Sequence, residues 1–324
     1  MSELPAIPVI DARDGGPPAA AAAAGPQMRA LLRDARRLVP TPFLALADRI
    51  ARRWLARADN PYLGEIDAIA ALAGRSGAHA LNTSFEWGCT CGVGDDPDGG
   101  VRLLRVLDWH QSGLGRALIV AWQRGPAGDY ANITWPGFAG VVTAMAPGRF
   151  AVALNQAPMM SWGLTPPVDW FVGRIKVWRS RDLPPVHLLR QVCETCATYD
   201  EARACLRDTA ICLPALFTLA GSAPGEGCVI ERTQHRGICH EMPTAIANHW
   251  VGLAERGRSR GGHSHERAAQ MRAALLGTAP WLTAPILNRD TRLVATINPA
   301  RGHLSLQGWE KDGPVTAPLI LQSR

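Results

Sequence analysis

The chain is 324 residues long, 47% hydrophobic, and carries a formal charge of +6. That length and apolar content allow one large core, and no apolar run reaches the roughly 18 residues that a transmembrane helix needs. The positive balance is almost all arginine, because lysine occurs only at Lys176 and Lys311. The arginines are scattered and are densest at Arg256, Arg258 and Arg260 in a Gly/Ser-rich stretch, which reads as a solvated surface and not as a nucleic-acid face. The N-terminus lacks the basic start and apolar core of a secretory signal. Reduced thiols and a cytoplasmic location are therefore the expectation for the eight cysteines.

In chain order, Ile7-Pro8-Val9-Ile10-Asp11 is an edge-strand candidate. An alanine run at 19–24 follows, flanked by Gly15-Gly16-Pro17-Pro18 and Gly25-Pro26, and these flanks read as linker or frayed end. Residues 28–38 and 43–58 read as helices separated by Pro40 and Pro42, with Leu44, Ala47, Ile50, Ala51 and Leu55 at helical spacing. A third helix at 63–73 stops at Gly74. A strand-rich block then begins at Cys89. Its candidates are 103–107, 117–123, 130–135, 140–145 and 150–155, with turn residues between them, and it reads as an antiparallel meander. Pro184-Pro185 opens a helix to about 198, and Asp200 is placed to cap another at 201–207. Strands at 228–232 and 245–250, a helix at 266–276 closed by Gly277, and a hairpin of 293–298 with 304–307 complete the chain. Strands, then helices, then strands give an α+β protein with helices outside.

The chemistry concentrates at Phe85-Glu86-Trp87-Gly88-Cys89-Thr90-Cys91. Arg105 stands sixteen residues after Cys89 and Asp108 nineteen after it. Asp95-Asp96-Pro97-Asp98-Gly99-Gly100 reads as a tight turn, so a hairpin would bring Arg105 and Asp108 back beside Cys89 at one sheet end. On these residues alone, Cys89 is either a nucleophile or a buried structural cysteine.

This spacing resembles the N-terminal-nucleophile (Ntn) cysteine hydrolases of the acid ceramidase, N-acylethanolamine acid amidase and choloylglycine hydrolase group. The stretches Gly64-Glu65-Ile66, Asn82-Thr83-Ser84-Phe85-Glu86 and Ala247-Asn248-His249-Trp250 look like the same family. The resemblance covers roughly residues 60–310. It implies an αββα sandwich of two stacked antiparallel sheets. It implies an N-terminal helical segment at 1–88, a catalytic domain at 89–324, and self-catalysed cleavage of the Gly88–Cys89 bond. The freed Cys89 α-amine would then serve as the base for its own thiol.

Further site residues follow from the same resemblance. Arg105 would lower the thiol pKa, Asp108 would orient Cys89, and Asn248 would donate to the oxyanion. Arg267 would be the second arginine, with Arg260 as the alternative. Asn132 and Trp135 are pocket candidates of which a regular strand lets only one line the site, and Asn155 is a third. Met159, Met160, Trp162, Trp170, Phe171 and Trp178 suit an acyl-chain pocket, and equally plain core or a dimer face, which leaves a homo-oligomer open. Cys91 stands where relatives carry a small residue such as serine. Cys89-x-Cys91 with Cys193-x-x-Cys196 could be paired on paper as a zinc site, but no knuckle glycines flank either pair. No phosphate loop or dinucleotide fingerprint is present, so neither metal nor cofactor is expected. The expectation is a hydrolase of a small-molecule N-acyl amine or N-acyl amino acid. The alternatives are an acyltransferase on the same scaffold and a non-catalytic, unprocessed homologue.

Overall fold

The first element is a short strand, β1 (Val9–Asp11), paired in parallel with Val120, Ala121 and Trp122 at a sheet edge. The structure, a computed structural model, describes residues 4–84 and 87–322. The alanine run is a helix, α1 (Gly16–Ala23), and not a linker. Proline is tolerated in a first helical turn, alanine gives up almost no side-chain entropy, and Ala20 packs with Ile119 and Ala121. Next come α2 (Gly25–Leu38), α3 (Thr41–Arg57) and α4 (Leu63–Ala73), the last closed by Gly74 at positive φ. A one-turn α5 (Ala78–Asn82), too short to show a period, ends the segment. Phe85 and Glu86, part of the motif quoted above, lie outside the described residues.

β2 (Gly88–Asp95) and β3 (Val101–Asp108) form the hairpin around Gly99 and Gly100, both at positive φ, with Cys89 opposite Leu107 and Cys91 opposite Arg105. β4 (Ile119–Gly125), β5 (Gly128–Thr134), β6 (Thr143–Ala146) and β7 (Phe150–Gln156) do run as a meander, but in the other sheet. The single meander expected from Cys89 to Asn155 is thus split between two layers. Strands apolar on both faces must be covered on both, and stacking one sheet on the other covers them.

β8 (Met159–Met160) and α6 (Pro166–Arg179) follow where the sequence shows only apolar bulk. α7 (Pro185–Thr195) leads to α8 (Tyr199–Asp208), which is capped by Thr198 and not by Asp200. Thr198 Oγ1 accepts from Glu201 N at 3.2 Å, and the Glu201 carboxylate accepts from Thr198 N, a capping box. β9 (Ala215–Gly221), β10 (Gly227–Arg232) and β11 (Gly237–Glu241) complete an eight-stranded sheet in the order β1-β4-β5-β6-β7-β9-β10-β11.

β12 (Thr244–Ile246) overlaps only the start of the strand expected at 245–250. At its end Asn155 Nδ2 donates to the carbonyls of Ile246 and Ala247, taking the place of a strand partner. β13 (Gly257–Arg258) pairs with β8 inside the arginine-rich loop. α9 (Ser264–Leu275), β14 (Thr291–Asn298), β15 (His303–Glu310), β16 (Gly313–Pro314) and β17 (Leu319–Gln322) end the chain. The second sheet runs β12-β2-β3-β14-β15-β16, with β17 also on β15. The two sheets stack as an αββα sandwich with α7 and α8 against one and α9 against the other. No helix of the described residues is long and apolar enough to cross a membrane.

Glycine decides how close α9 comes. A Cβ at Gly92 would lie 2.8 Å from Met271 Cγ and 2.9 Å from Leu275 Cδ1. The bare backbone of β2 therefore lets α9 settle on the outer face, with Arg267 in its first turn above Thr90. Substituting Gly92→Val should cost about 1–3 kcal/mol by overpacking. Urea denaturation would read this as a lower midpoint at unchanged slope, and an unchanged midpoint would show that α9 is not held at this distance.

Candidate active site

Alternation along β2 and β3 places the chemical groups on two faces. Cys89, Cys91, Leu103 and Leu107 point into the sandwich, and Leu104 and Val106 point out toward Met271 and Leu275 of α9. Arg105 therefore lies inside and Asp108 outside, three residues apart on one strand. Arg105 is fully buried. Its Nη2 donates to Leu154 O at 2.9 Å, and its Nη1 donates to Cys91 Sγ at 3.0 Å and to Asn155 Oδ1. Asp108 accepts from Thr291 Oγ1 at 3.0 Å and lies 3.6 Å from Arg267 Nη1. Burial raises the Asp108 carboxyl pKa, and Arg267 opposes the rise.

The two faces meet at the backbone of Cys89. Cys89 N donates to Asn248 Oδ1 at 2.9 Å, and Arg267 Nη1 donates to Cys89 O at 2.7 Å. Arg267 Nη2 also reaches Asn248 Oδ1 at 3.1 Å, so one side chain ties the cysteine carbonyl to the asparagine that holds its nitrogen. Asn248 Nδ2 donates to Gln156 O at 2.8 Å, and Asn248 N donates to Ser264 Oγ at 2.8 Å. Cys89, Arg105, Asp108, Asn248 and Arg267 are thus one connected cluster. Arg260 stands beside it, with Nε on Ala157 O at 3.0 Å.

Cys89 itself is sealed. Its residue has no accessible surface, and burial pushes its thiol up to about 12 against the counter-pull of Arg105. A cleft of about 670 Å³ reaches Gly88 but not Cys89. Trp87, Gly88, Asp108, Trp109, Arg260 and Arg267 are among its walls. Residues 87 and 88 therefore stand between the cleft and the thiol. An added Cβ on Gly88 would meet Asp108 Cβ at 3.5 Å, ordinary contact, so the uncut chain shows no steric need for glycine there.

The pocket candidates are placed differently. Asn132, on β5, donates from Nδ2 to Gly140 O at 3.1 Å in the turn before β6, outside the cluster. Trp135 Nε1 donates to Leu114 O at 2.8 Å, and its ring meets Trp109, which in turn meets Trp87. Asn155 touches the cluster through Arg105 and Cys91 and is otherwise spent on backbone. His249 Nδ1 shares Ser264 Oγ with Asn248 N, and burial, then the stacked His265, lowers its pKa to about 4. Thr291 and Gln156 belong to the site without any sequence signal. Among the described residues no group of three or more His, Cys, Asp or Glu could hold a metal ion.

No family model matches the chain. Over 106 residues it is 33% identical to acid ceramidase of Bos taurus, a stretch that takes in 32% of this chain and 25% of that protein. Acid ceramidase of Homo sapiens matches at 33% over 106 residues, with the same shares. The chain thus aligns with about a quarter of the length of these relatives. Among solved structures, the Caenorhabditis elegans ortholog of N-acylethanolamine-hydrolyzing acid amidase superposes with a TM-score of 0.51 at 19% identity. That superposition covers 72% of this chain and 100% of the other. The fold is that of the Ntn hydrolases, and about a third of the sequence is similar to acid ceramidase.

The burial of the thiol has a direct readout. Iodoacetamide applied to the folded, uncut chain should label the half-buried Cys205 and Cys239 and reach Cys89 only after denaturation. Labelling of Cys89 at the rate of a free thiol would contradict the sealed geometry.

Proposed function

We propose that this chain is an amidohydrolase that cuts the linear carbon–nitrogen bond of a small-molecule N-acyl amine or N-acyl amino acid. Cys89 is the nucleophile once the chain has cut its own Gly88–Cys89 bond. The observation that carries this reading is the Asn248 oxygen on the Cys89 nitrogen, joined by Arg267 to the Cys89 carbonyl. A structural cysteine in a strand needs no such side-chain grip on its own backbone.

The cut begins when Cys89 Sγ attacks the Gly88 carbonyl carbon. The carbon–nitrogen bond breaks, the nitrogen takes the thiol proton, and a thioester remains. Water hydrolyses the thioester and leaves the Gly88 carboxylate and a free Cys89 thiol. The new amine stays on Asn248 Oδ1. Asp108, whose Oδ2 lies 3.8 Å from the position of a Gly88 Cβ, faces that amine when Gly88 withdraws. An α-amine titrates near ~8, so it can take the thiol proton at neutral pH. The thiolate then attacks the substrate carbonyl, with Arg105 drawing the thiol pKa down. Asn248 Nδ2 exchanges the Gln156 carbonyl for the oxyanion. The amine leaves, and water resolves the acyl-enzyme.

The segment 1–88 stays docked after the cut. Arg190 Nη2 donates to Glu65 at 2.8 Å, and Trp54 Nε1 donates to Ser180 O at 3.0 Å. Asn60 meets buried His187 at 2.9 Å, and Asn82 brackets Gly137 O and Ala139 N at 2.8 and 2.7 Å. Many polar groups would lose partners if this segment left.

Intact mass should show fragments 1–88 and 89–324 eluting together from size exclusion, and Cys89→Ala should stay whole. A whole wild-type chain that still hydrolyses amides would end the proposal. Asn248→Ala in the matured protein should lower kcat by ~10²–10³, read as amine released from a panel of N-acyl amides. A change below threefold would remove Asn248 from the oxyanion role. Adding a competing amine should leave the free acid as the main product.

A further inference from the structure

Asn248 sits in a stretch that no longer runs as a strand. β12 ends at Ile246, which stands opposite Cys91 on β2. Cys89 N thus lies past the last rung of this pair and is met by the Asn248 side chain instead. Two side chains of the eight-stranded sheet hold the stretch from either side. Before Asn248, Asn155 Nδ2 takes the carbonyls of Ile246 and Ala247. After it, Glu231 on β10 takes three successive N–H groups. Glu231 Oε1 accepts from Val251 N, and its Oε2 accepts from Gly252 N at 2.8 Å and Leu253 N at 2.9 Å. Only Asn248, His249 and Trp250 lie between the two grips.

The register explains how two separate strands reach one bend. Glu231 stands opposite Leu216 on β9, and Leu216 stands opposite Asn155 on β7. Residues directly opposite share a face. Asn155 meets Arg105 and Cys91 inside the sandwich, so Glu231 points inward as well, two strands along the same row. The grips are complementary: an amide donates to carbonyls on one side, and a carboxylate accepts from N–H groups on the other. Glu231 is fully buried, and His240 Nε2 lies 3.3 Å from its Oε2. A buried carboxylate depends on such partners, and charge-assisted bonds to three backbone donors make the seat firm.

We propose that Glu231 is a positioning residue. It seats residues 251–253, and through them it sets where Asn248 Oδ1 meets the Cys89 nitrogen and where Asn248 Nδ2 meets the oxyanion. Its effect on turnover rests on the oxyanion role proposed above for Asn248, and its effect on the Cys89 backbone does not. Glutamine at 231 keeps the shape but offers one acceptor oxygen, and its own N–H groups then face a backbone donor. Arg232 supplies the comparison. It is equally buried and next in sequence, but it points to the opposite face, where it donates to Leu206 O and, at 2.6 Å, to Thr209 O.

The test follows amide hydrogen exchange in the uncut chain, made with Cys89→Ala, and amide hydrolysis per 89–324 fragment in chains that keep Cys89. Glu231→Gln should speed exchange at 251–253 and also at residue 89, whereas Arg232→Met should leave residue 89 unchanged. Glu231→Gln should lower kcat by ~10–10² with KM within about twofold. It should cost nothing further when Asn248 is already alanine. Glu231→Asp keeps both oxygens on a shorter stem and should give the same pattern at smaller amplitude, which serves if Glu231→Gln does not fold. Faster exchange confined to 251–253, or an equal loss of kcat with and without Asn248, would overturn the proposal. A wild-type chain that hydrolyses no amide would end the function proposed above, and exchange at residue 89 would still decide the place of Glu231.

Discussion

A single amide oxygen organises the centre of this protein. Asn248 Oδ1 takes the Cys89 N–H and an Arg267 N–H together, while the rest of the asparagine is fixed by Gln156 O and Ser264 Oγ. Those partners come from β2, β7 and α9, and Asn248 itself follows β12, so one buried residue reads the relative position of both sheets and one outer helix. At a buried site such bonds polarise one another, and a misplaced partner leaves a buried polar group unpaired. The exact seat of α9 thus bears on the site, and that seat depends on the absence of a side chain at Gly92.

Two opposed electrostatic effects act on the cysteine at this centre. Burial favours the neutral thiol and Arg105 favours the thiolate, and in the uncut chain burial is the larger. Arg105 is itself held by Leu154 O, Cys91 and Asn155 inside the sandwich. Cys91 helps to fix the cation that faces the thiol. Access bears on this balance: residues 87 and 88 separate Cys89 from the cleft, and their local withdrawal from the thiol would bring in solvent while leaving Arg105 in place.

Much of this arrangement is legible in the residues. Gly99-Gly100 marks the hairpin, Gly74 marks the end of α4, and the offsets from Cys89 pick out Arg105 and Asp108. The three-residue gap between Arg105 and Asp108 already implies opposite faces of β3, although the pair reads at first as one cluster at a sheet end. The Thr-x-x-Glu of Thr198 and Glu201 is a capping box in plain view, yet Asp200 competes for the same role. Other features depend on contacts between distant segments. The alanine run is a helix because it packs on β4, and β2 and β3 part from the β4–β7 meander because each layer needs the other to cover its inner face. Asn132 is drawn into a neighbouring turn rather than toward Cys89, and spacing alone carries no trace of that.

β1 is only three residues long, yet it occupies the rim of the eight-stranded sheet beside β4. An uncovered rim presents a row of backbone donors and acceptors that another copy can pair with, a common route to aggregation. By laying its own first strand there, the chain guards β4 against intermolecular strand addition. Loss of the N-terminal strand would bare the Val120–Trp122 stretch of β4 as a new rim.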